Sequence, residues 1–287
     1  MNGPGHVPIT RKAFVKKGLN KLLVLLGGAL VAGSYGFCWE RSWVELVRLT
    51  VHLPSLPREW IGTRIVHFSD VHLGHFCTPD DLQSVVDLIG KEKPDLICFT
   101  GDLVEDGTEM LGEAVPVLAR LAAPLGKYAV LGNHDYRNRK PQLVRDALDA
   151  AGFTVLHNQH ARLQKGNAPF FIAGVDDLLL GTPDLDSALK GITADHPVIL
   201  LAHEPDFADV SAQAPVHLQL SGHSHGGQVR LPFVGAVVTP PMARKYVQGL
   251  NYAGEQNMPV YTNRGLGTTQ LPIRFLCRPE MTVLTLA

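Results

Sequence analysis

From residue 43 onward, short apolar runs alternate with stretches whose apolar residues recur every three or four positions. Continuous apolar runs are typical of strands covered on both faces of a sheet. They occur at Arg64–Ser69, Asp95–Thr100, Tyr128–Leu131, Phe170–Val175, Val198–Ala202, His217–Leu220 and Val260–Thr262. Apolar residues that recur every three or four positions predict helices over Pro79–Glu92, Thr108–Leu121, Pro141–Ala151 and Asp184–Lys190. This alternation of strands and helices is the pattern of an α/β fold.

Two further features extend this fold class. Residues 44–53 alternate between two faces, one of them mainly apolar, which predicts a strand at the edge of a sheet. After about residue 165 the predicted strands outnumber the helices, which indicates a second sheet packed against the first. Because no linker is long enough to divide this part of the chain, we predict one domain over residues 41–287.

The first forty residues form a separate unit. An uncharged run of eighteen residues from Leu22 to Trp39 follows five basic residues, which are Arg11, Lys12, Lys16, Lys17 and Lys21. As a helix the run would be about 27 Å long, against a hydrocarbon core about 30 Å thick. It therefore predicts either a signal peptide or an uncleaved membrane anchor. The basic flank favours a cytoplasmic N-terminus, which would place the domain over residues 41–287 outside the cytoplasm.

Residues 10–16 also resemble a twin-arginine export signal, in which two arginines and a phenylalanine precede a mildly apolar run. Arg11 and Phe14 match this pattern, whereas Lys12 replaces the second arginine. Such a signal is read by a receptor rather than by bulk hydrophobicity. The sequence therefore leaves two alternatives, a twin-arginine-like export route and an ordinary anchor whose flanking charges only set its orientation.

The composition excludes several classes of protein. With 287 residues, 45% hydrophobic and 18% charged, the chain is an ordinary globular protein with a substantial core. Its formal net charge of −1 excludes binding to nucleic acid through bulk charge, and we expect a monomer without a nucleic-acid partner. The cysteines show neither zinc-ribbon nor redox-dithiol spacing, since they lie far apart at Cys38, Cys77, Cys98 and Cys277.

Polar residues with metal-binding side chains follow five of the predicted strands at the point where each strand ends. They form the segments Asp70-Val71-His72, Gly101-Asp102, Gly132-Asn133-His134-Asp135, the single His203, and Gly222-His223-Ser224-His225. In open α/β sheets, ligands bind in the crevice at the carboxyl ends of the strands. We therefore expect these five segments to converge on one site.

The residue types in these segments fit one chemical task. Aspartates, histidines and an asparagine, without a thiolate, make an oxygen and nitrogen site suited to Mn²⁺, Fe or Zn²⁺. There are enough ligands for two ions. Two cations roughly 3.5–4 Å apart can share a carboxylate, activate a water and stabilise an in-line phosphoryl displacement. The sequence therefore predicts hydrolysis of a phosphate ester.

In order and in residue type, the five segments resemble the five motifs of the calcineurin-like metallophosphoesterase superfamily, over about residues 60–287. The resemblance implies a four-layer α/β/β/α sandwich and two divalent metal ions. It implies that Asp70, His72 and His225 hold the first metal and that Asp102 bridges both. The second metal would be held by Asn133, His203 and His223. His134 would protonate the leaving oxygen without binding metal, and Asp135 would orient its imidazole.

Further segments resemble a membrane-linked bacterial branch of this superfamily, the YkuE/YaeI-type phosphoesterases. They are residues 69–74, 221–228 and 274–280. The chain departs from the Ser/Thr protein phosphatases, which carry Asp-Arg-Gly where this chain has Asp106-Gly107. The branch implies a phosphodiester or pyrophosphate bond in an envelope-associated substrate, which is either lipid-linked or soluble. The alternative is a non-catalytic metal-binding envelope protein.

The remaining polar residues are assigned structural or solvated roles. This applies to six histidines outside the five segments, namely His67, His75, His157, His160, His196 and His217. Asp176-Asp177 follows a strand, and we interpret the pair as solvated carboxylates on a turn rather than as another metal site. Some basic residues of the C-terminal third are candidates to receive a second phosphate or an acidic head group, namely Arg230, Arg244, Lys245, Arg264 and Arg274.

Overall fold

The computed structural model describes residues 11–54, 56–74, 76–137 and 139–287, so that the prediction made for His75 lies outside the described residues. The helices are α1 Arg11–Cys38, α2 Pro79–Lys91, α3 Leu111–Ala119, α4 Asn133–Arg137, α5 Pro141–Ala150, α6 Leu185–Ala188 and α7 Ala208–Ser211. The strands of the first half are β1 Glu45–Val51, β2 Arg64–Phe68, β3 Leu96–Thr100, β4 Lys127–Val130 and β5 Thr154–Val155. Those of the second half are β6 Gln159–Lys165, β7 Ala168–Gly174, β8 Val198–Leu201, β9 Leu218–Ser221, β10 Arg230–Leu231, β11 Gly235–Ala236, β12 Gly249–Ala253, β13 Met258–Thr262 and β14 Glu280–Leu286.

The strands form two six-stranded sheets and one small hairpin. The first sheet has the order β1-β14-β2-β3-β4-β5, and the second has the order β12-β13-β9-β8-β7-β6. Strands β2 to β5 run parallel, as do β7, β8, β9 and β13. The carboxyl ends of these parallel strands therefore share one edge in each sheet.

Three apolar clusters hold four layers together. The central cluster lies between the sheets and includes Ile65 of β2 and Ile199 of β8. Successive side chains of a strand point to opposite faces, so Val66 instead joins the cluster that packs α2, α3 and α5 on the first sheet. The third cluster packs α6 and α7 on the second sheet. This arrangement confirms the predicted α/β/β/α sandwich.

The helix α2 shows how local sequence sets an element boundary. Thr78 accepts a hydrogen bond from the amide of Asp81, and the Asp81 carboxylate accepts one from the amide of Thr78. This reciprocal cap satisfies amide groups that have no partner within the helix, and Pro79 suits the first helical position. Leu82 and Val86 then face the first sheet on one side of the helix. The predicted start at Pro79 is confirmed.

The structure adds strands that the sequence pattern did not predict. The predicted edge strand is confirmed as β1, but its neighbour is β14, at the C-terminal end of the chain. The strand β14 is antiparallel to β2 and lies between β1 and β2. It begins at Glu280, a buried carboxylate that accepts hydrogen bonds from Tyr261 and Arg264. A charged residue at the start of a buried strand requires hydrogen-bond partners from other segments. Because the local sequence does not show those partners, the strand was not predicted.

The helix α1 extends away from the two sheets along most of its length. Its apolar side chains are exposed, with Leu22 at 51% and Val31 at 71% of their full accessibility. Among the described residues it is the one helix long and apolar enough to cross a membrane. Only its last turns meet the catalytic domain, where Tyr35 packs edge to face on Phe275 and the amide of Arg274 donates to the carbonyl of Gly36.

Candidate metal centre

The five predicted segments converge at the facing carboxyl ends of the two sheets. Three segments follow β2, β3 and β4 of the first sheet, and two follow β8 and β9 of the second. They bring together the seven residues that the sequence predicts as ligands, all of them buried: Asp70, His72, Asp102, Asn133, His203, His223 and His225. The convergence expected from the strand ends is therefore present in the structure.

Five of these seven residues have a left-handed backbone conformation. Their φ angles are 51° at Asp70, 51° at His72, 57° at Asp102, 65° at His223 and 49° at His225. Such conformations cost non-glycine residues on the order of 1–3 kcal/mol each, and they persist where the surrounding structure imposes them. Their concentration at one place indicates that the loops are shaped for the position of their side chains rather than for stability alone.

The first cluster contains Asp70, His72 and His225. The Nε2 atoms of the two histidines lie 2.9 Å apart, and Nε2 of His225 lies 3.3 Å from Oδ1 of Asp70. Ligand atoms about 2.1 Å from one ion lie roughly 3.0–3.4 Å from one another in octahedral or tetrahedral geometry. Backbone amide donation from His223 fixes both oxygens of the Asp70 carboxylate. The third distance, between Nε2 of His72 and Oδ1 of Asp70, is 3.8 Å, so the three ligand atoms surround a space of the size that a divalent cation occupies.

The second cluster contains Asp102, Asn133, His203 and His223. The ligand atoms of Asp102, His203 and His223 lie within 4.8 Å of one another. Oδ1 of Asn133 and Nε2 of His203 are buried without a hydrogen-bond partner. An unpartnered buried polar atom costs about 1–3 kcal/mol, so two of them beside a carboxylate indicate atoms reserved for a bound ion.

The carboxylate of Asp102 lies between the two clusters. Its Oδ2 is 3.2 Å from Nε2 of His203 in the second cluster and 3.6 Å from Nε2 of His72 in the first. Its Oδ1 accepts a hydrogen bond of 2.8 Å from the amide of His134. One oxygen is thus fixed by the backbone while the other faces both clusters, as a shared ligand requires.

Hydrogen bonds outside the clusters select which nitrogen of each imidazole faces inward. Nδ1 of His203 lies 2.6 Å from the carbonyl oxygen of Thr100, which leaves Nε2 for a metal. Nε2 of His223 lies 2.9 Å from the carbonyl oxygen of Pro241, which leaves Nδ1. Because a carbonyl only accepts hydrogen bonds, each contact fixes the protonated nitrogen and the tautomer, as is usual around metal-binding histidines.

Burial and charge act in opposite directions on these histidines. Burial alone lowers the pKa of His72, but hydrogen bonds to Asp70 and Glu105 and the charge of Asp102 raise it to about 9. Burial lowers the pKa of His225 to about 4, although the charge of Asp70 opposes the change. Burial would raise the pKa of Asp102, but the neighbouring His203 lowers it below its usual range. Burial would likewise raise the pKa of Asp70, but the neighbouring His225 and His72 lower it well below its usual range. Asp70 and Asp102 are therefore both ionised at neutral pH and ready to hold cations.

His134 lies beside the first cluster and is held by Glu105. Its Nδ1 is 2.9 Å from the backbone carbonyl oxygen of Glu105 and 3.1 Å from Oε2 of the Glu105 side chain. The same Oε2 lies 2.5 Å from Nδ1 of His72. One carboxylate therefore contacts both a predicted ligand and the predicted acid. Sequence reasoning did not identify Glu105, although its position three residues after Asp102 on the same loop was a usable signal.

The expected contact between Asp135 and the imidazole of His134 is wrong. The Asp135 carboxylate instead accepts hydrogen bonds from four backbone amides, those of Asp102, Leu103, Val104 and Gly132. Burial and the charge of Asp102 raise the pKa of Asp135 to about 7, and the amide donors oppose this change. Asp135 therefore shapes the loop that carries Asp102 and Glu105, and Glu105 contacts the imidazole in its place.

Two glycines permit the close approach of the strand ends. A Cβ atom at Gly132 would lie 2.3 Å from Oδ1 of Asp102 and 2.6 Å from Cε1 of His203. A Cβ atom at Gly222 would lie 1.9 Å from Oγ of Ser69 and 2.3 Å from Oδ2 of Asp70. A side chain at either position would therefore displace a predicted ligand.

One interpretation of polar residues outside the site requires correction. Asp176 and Asp177 are buried at 4% and 0% exposure, so the solvated turn expected for them is wrong. Asp176 accepts hydrogen bonds from the hydroxyl of Tyr136 and the amide of Thr182, and it pairs with His157 at 2.9 Å. Tyr136 and His157 are remote in sequence from Asp176, which is why a local pattern suggested solvent exposure.

The candidate phosphate-binding arginines divide into two groups. Arg274 is completely buried and donates to the carbonyl oxygens of Arg264, Gly265, Gly267 and Cys277, so it holds loops together. Arg264 pairs with Glu280 and Glu45. Neither is available to an incoming anion. Arg230 and Arg244 remain at least partly exposed and lie on the segment that follows His225.

Comparisons with known proteins agree with this site. A family model described as calcineurin-like phosphoesterase matches residues 63–227. The chain is 40% identical over 284 residues to the uncharacterized metallophosphoesterase YkuE of Bacillus subtilis (strain 168), covering 97% of this chain and 98% of that protein. It is 35% identical over 265 residues to the phosphodiesterase YaeI of Escherichia coli (strain K12), covering 90% and 95%.

A vertebrate protein is similar as well. Over 277 residues the chain is 32% identical to a transmembrane protein with metallophosphoesterase domain of Danio rerio, covering 92% of this chain and 62% of that protein. The matched regions include all five segments that converge on the metal centre. The chain therefore belongs to the calcineurin-like phosphoesterase family, whose activity is metal-dependent hydrolysis of phosphoesters.

Proposed function

We propose that this chain hydrolyses a phosphodiester or pyrophosphate bond of a membrane- or envelope-associated substrate with two divalent metal ions. The position of Asp102 carries the proposal, because its Oδ2 faces both ligand clusters. The name of the relative YaeI, a phosphodiesterase, supports the type of bond. When bound, the metal pair supplies Lewis acidity and lowers the pKa of a coordinated water.

The ligand assignment follows from the two clusters. Asp70, His72 and His225 would hold one ion, Asn133, His203 and His223 the other, and Asp102 both. Mn²⁺, Fe and Zn²⁺ suit this mixture of oxygen and nitrogen donors.

His134 would supply the proton to the leaving oxygen. The carbonyl oxygen of Glu105 accepts the hydrogen on Nδ1, so the second proton of the imidazolium is on Nε2. The Glu105 carboxylate lies 3.1 Å from the same Nδ1 and holds the ring in this orientation. Glu105 therefore orients the acid.

A leaving-group series tests this assignment. We expect His134→Ala to keep both metal ions and to lose about 10²–10⁴-fold in turnover on alkyl phosphodiesters. Nitrophenyl phosphodiesters should lose less, because nitrophenolate leaves without protonation. His52→Ala, a change at an exposed histidine of the same chain, is the matched control and should leave turnover unchanged. Equal losses across the series would contradict the role as acid, and loss of one metal ion would make His134 a ligand.

The location of the substrate rests on the helix α1. Its exposed apolar side chains and the basic residues ahead of them support a membrane anchor with the catalytic domain outside the cytoplasm. A reporter that is active only outside the cytoplasm, fused after Ala287, should be active. Activity of a cytoplasm-dependent reporter at that position instead would overturn the orientation.

The export route can be tested separately. Arg11→Ala should abolish export if a receptor reads a twin-arginine-like signal, because such recognition depends on individual residues. Export should persist if the segment is an ordinary anchor, since four basic residues remain to set its orientation.

A further inference from the structure

A hairpin on the rim of the metal centre exposes a set of apolar side chains. We call residues 230–238 the apolar hairpin; it contains β10, a tip at residues 232–234, and β11. Its exposed apolar residues are Leu231, Phe233, Val234, Val237 and Val238, of which Phe233 is completely exposed. The sequence has no charged residue between Arg230 and Arg244. An exposed apolar surface of this kind commonly marks a contact with a partner or a membrane.

The backbone of the tip makes Phe233 an unusual residue for this position. Its φ angle is 66°, in the left-handed region that glycine and asparagine occupy most readily. The left-handed conformation costs a bulky aromatic residue conformational free energy. Because Phe233 is completely exposed, burial of its ring does not offset that cost. Stability of the fold therefore does not explain Phe233, which leaves a contact outside the chain as its physical reason.

The base of the apolar hairpin lies beside the point where α1 meets the catalytic domain. The amide of Arg230 donates to the carbonyl oxygen of Phe275, and the amide of Phe275 donates to the carbonyl oxygen of Gln228. On its other side, Phe275 packs on Tyr35 of α1 with ring centroids 6.4 Å apart. One short segment therefore contacts both the anchor helix and the apolar hairpin.

The same hairpin is attached to the metal centre at both ends. It begins five residues after His225, a predicted ligand. On the return, Pro241 places its carbonyl oxygen 2.9 Å from Nε2 of His223, another predicted ligand. A Cβ atom at Gly227 would lie 2.3 Å from Cβ of Ala236, so the hairpin packs closely on the loop that leaves the site. The apolar hairpin is therefore attached beside the loops that carry two predicted ligands, His223 and His225.

We propose that the apolar hairpin inserts its tip into the surface of a lipid bilayer and so seats the metal centre against the membrane. A bilayer is favoured over a protein groove because the base of the apolar hairpin lies beside the last turns of α1, through Phe275. In addition, Arg230 and Arg244, at the two ends of the uncharged segment, suit anionic head groups. The inference rests on the proposed function and deepens it, since an enzyme seated in this way would act on phosphoesters of membrane lipids.

Fluorescence quenching tests the insertion without any measurement of activity. The full chain is reconstituted in vesicles of phosphatidylcholine and phosphatidylglycerol whose acyl chains are brominated. We expect the added tryptophan of Phe233→Trp to be quenched beyond the wild-type background. The matched control is Leu143→Trp, at a position 43% exposed on α5, which packs beside β5 at the sheet edge opposite β1. Quenching no stronger at Phe233→Trp than at Leu143→Trp overturns the proposal.

A pair of substrates with the same leaving group tests whether the apolar hairpin places the metal centre against the membrane. We compare methyl nitrophenyl phosphate in solution with hexadecyl nitrophenyl phosphate held in the same vesicles. Phe233→Asn combined with Val234→Ser should lower turnover of the vesicle-held ester by about tenfold and leave turnover of the soluble ester unchanged. Asparagine suits the left-handed backbone at residue 233, so the fold is preserved.

The results separate the inference from the proposed function. Leu143→Asn should change neither turnover. If the ratio of turnover on the vesicle-held ester to turnover on the soluble ester is unchanged in the hairpin variant, the proposal that the hairpin places the metal centre against the membrane is overturned. Hydrolysis of neither ester by the wild type, with Mn²⁺ or Zn²⁺ present, overturns the proposed function instead, and the quenching result then still decides whether the hairpin inserts.

Discussion

Glu105→Gln is the substitution that best isolates the positioning of the catalytic groups. It keeps the size of the side chain and removes its charge. The carboxylate contacts Nδ1 of His72 at 2.5 Å and Nδ1 of His134 at 3.1 Å, and its other oxygen accepts a hydrogen bond of 3.0 Å from Thr269. Only the contact with Thr269 survives the substitution with similar strength, because it joins a hydroxyl donor to an oxygen.

The expected loss of turnover in Glu105→Gln follows from these contacts. A hydrogen bond to a charged group contributes about 1.5–3 kcal/mol, against about 0.5–1.5 kcal/mol for a neutral one. Losing the charge on both histidine contacts therefore costs on the order of 2 kcal/mol, or a factor of about 30 in rate. The loss should fall mainly on kcat, because Glu105 positions His134 and His72 and need not touch the substrate.

The assay is turnover of a phosphodiester series together with metal content. Glu105→Gln should lose about 10–100-fold in kcat with little change in KM, a range typical of residues that orient metal-binding histidines. Glu109→Gln makes the same chemical change at an exposed site four residues further on and should stay within about twofold of the wild type. Wild-type kcat in Glu105→Gln would refute the reasoning.

Two further substitutions test the packing around the site and the charge of a buried carboxylate. Gly132→Ala should lower both metal content and turnover, because its Cβ would lie 2.3 Å from Oδ1 of Asp102; Gly112→Ala, with open space around it, should be neutral. Asp176→Asn should lower the free energy of unfolding by about 1–3 kcal/mol at pH 7, measured by urea denaturation. Burial would raise the pKa of Asp176, but hydrogen bonds from Tyr136 and Thr182 lower it.

The sign of the pH dependence follows from that lowered pKa. A carboxylate whose pKa is lower in the folded state adds stability above the unfolded pKa of about 3.9, and the contribution is lost as pH falls. The difference between the wild type and Asp176→Asn should therefore shrink below about pH 4. A difference that does not depend on pH would contradict the ionised state of Asp176. Full metal content in Gly132→Ala would contradict the tight packing at Asp102.

Local pattern was enough to predict the ligands and most of the strands that carry them. Asp70 and Asp102 directly follow apolar runs, and parallel strands place their carboxyl ends at one edge, so their convergence follows from local sequence. The strand β14 was not predictable in the same way, because its place between β1 and β2 depends on pairing across more than two hundred residues. Alternation of apolar and polar residues predicts which face of a strand is buried, but it does not predict which strand pairs with it.

The same limit explains the residues that were misjudged. Glu105 follows Asp102 by three residues, which places it near the site, but its contact with His134 forms because two loops meet in space. Asp176 is buried because Tyr136 and His157 reach it from other elements. Sequence motifs identify groups that are adjacent to strand ends, whereas the groups that orient them become visible only when the loops are in place.

The metal content of Asp102→Asn tests the central claim most directly. Asp102 faces both clusters through one oxygen, so elemental analysis after loading with Mn²⁺ should give two ions per chain for the wild type and fewer for Asp102→Asn. Activity should fall together with the metal. Asp106→Asn, at an exposed aspartate four residues away, should keep two ions and wild-type activity. Two ions per chain in Asp102→Asn, or a single ion in the wild type, would contradict the shared carboxylate.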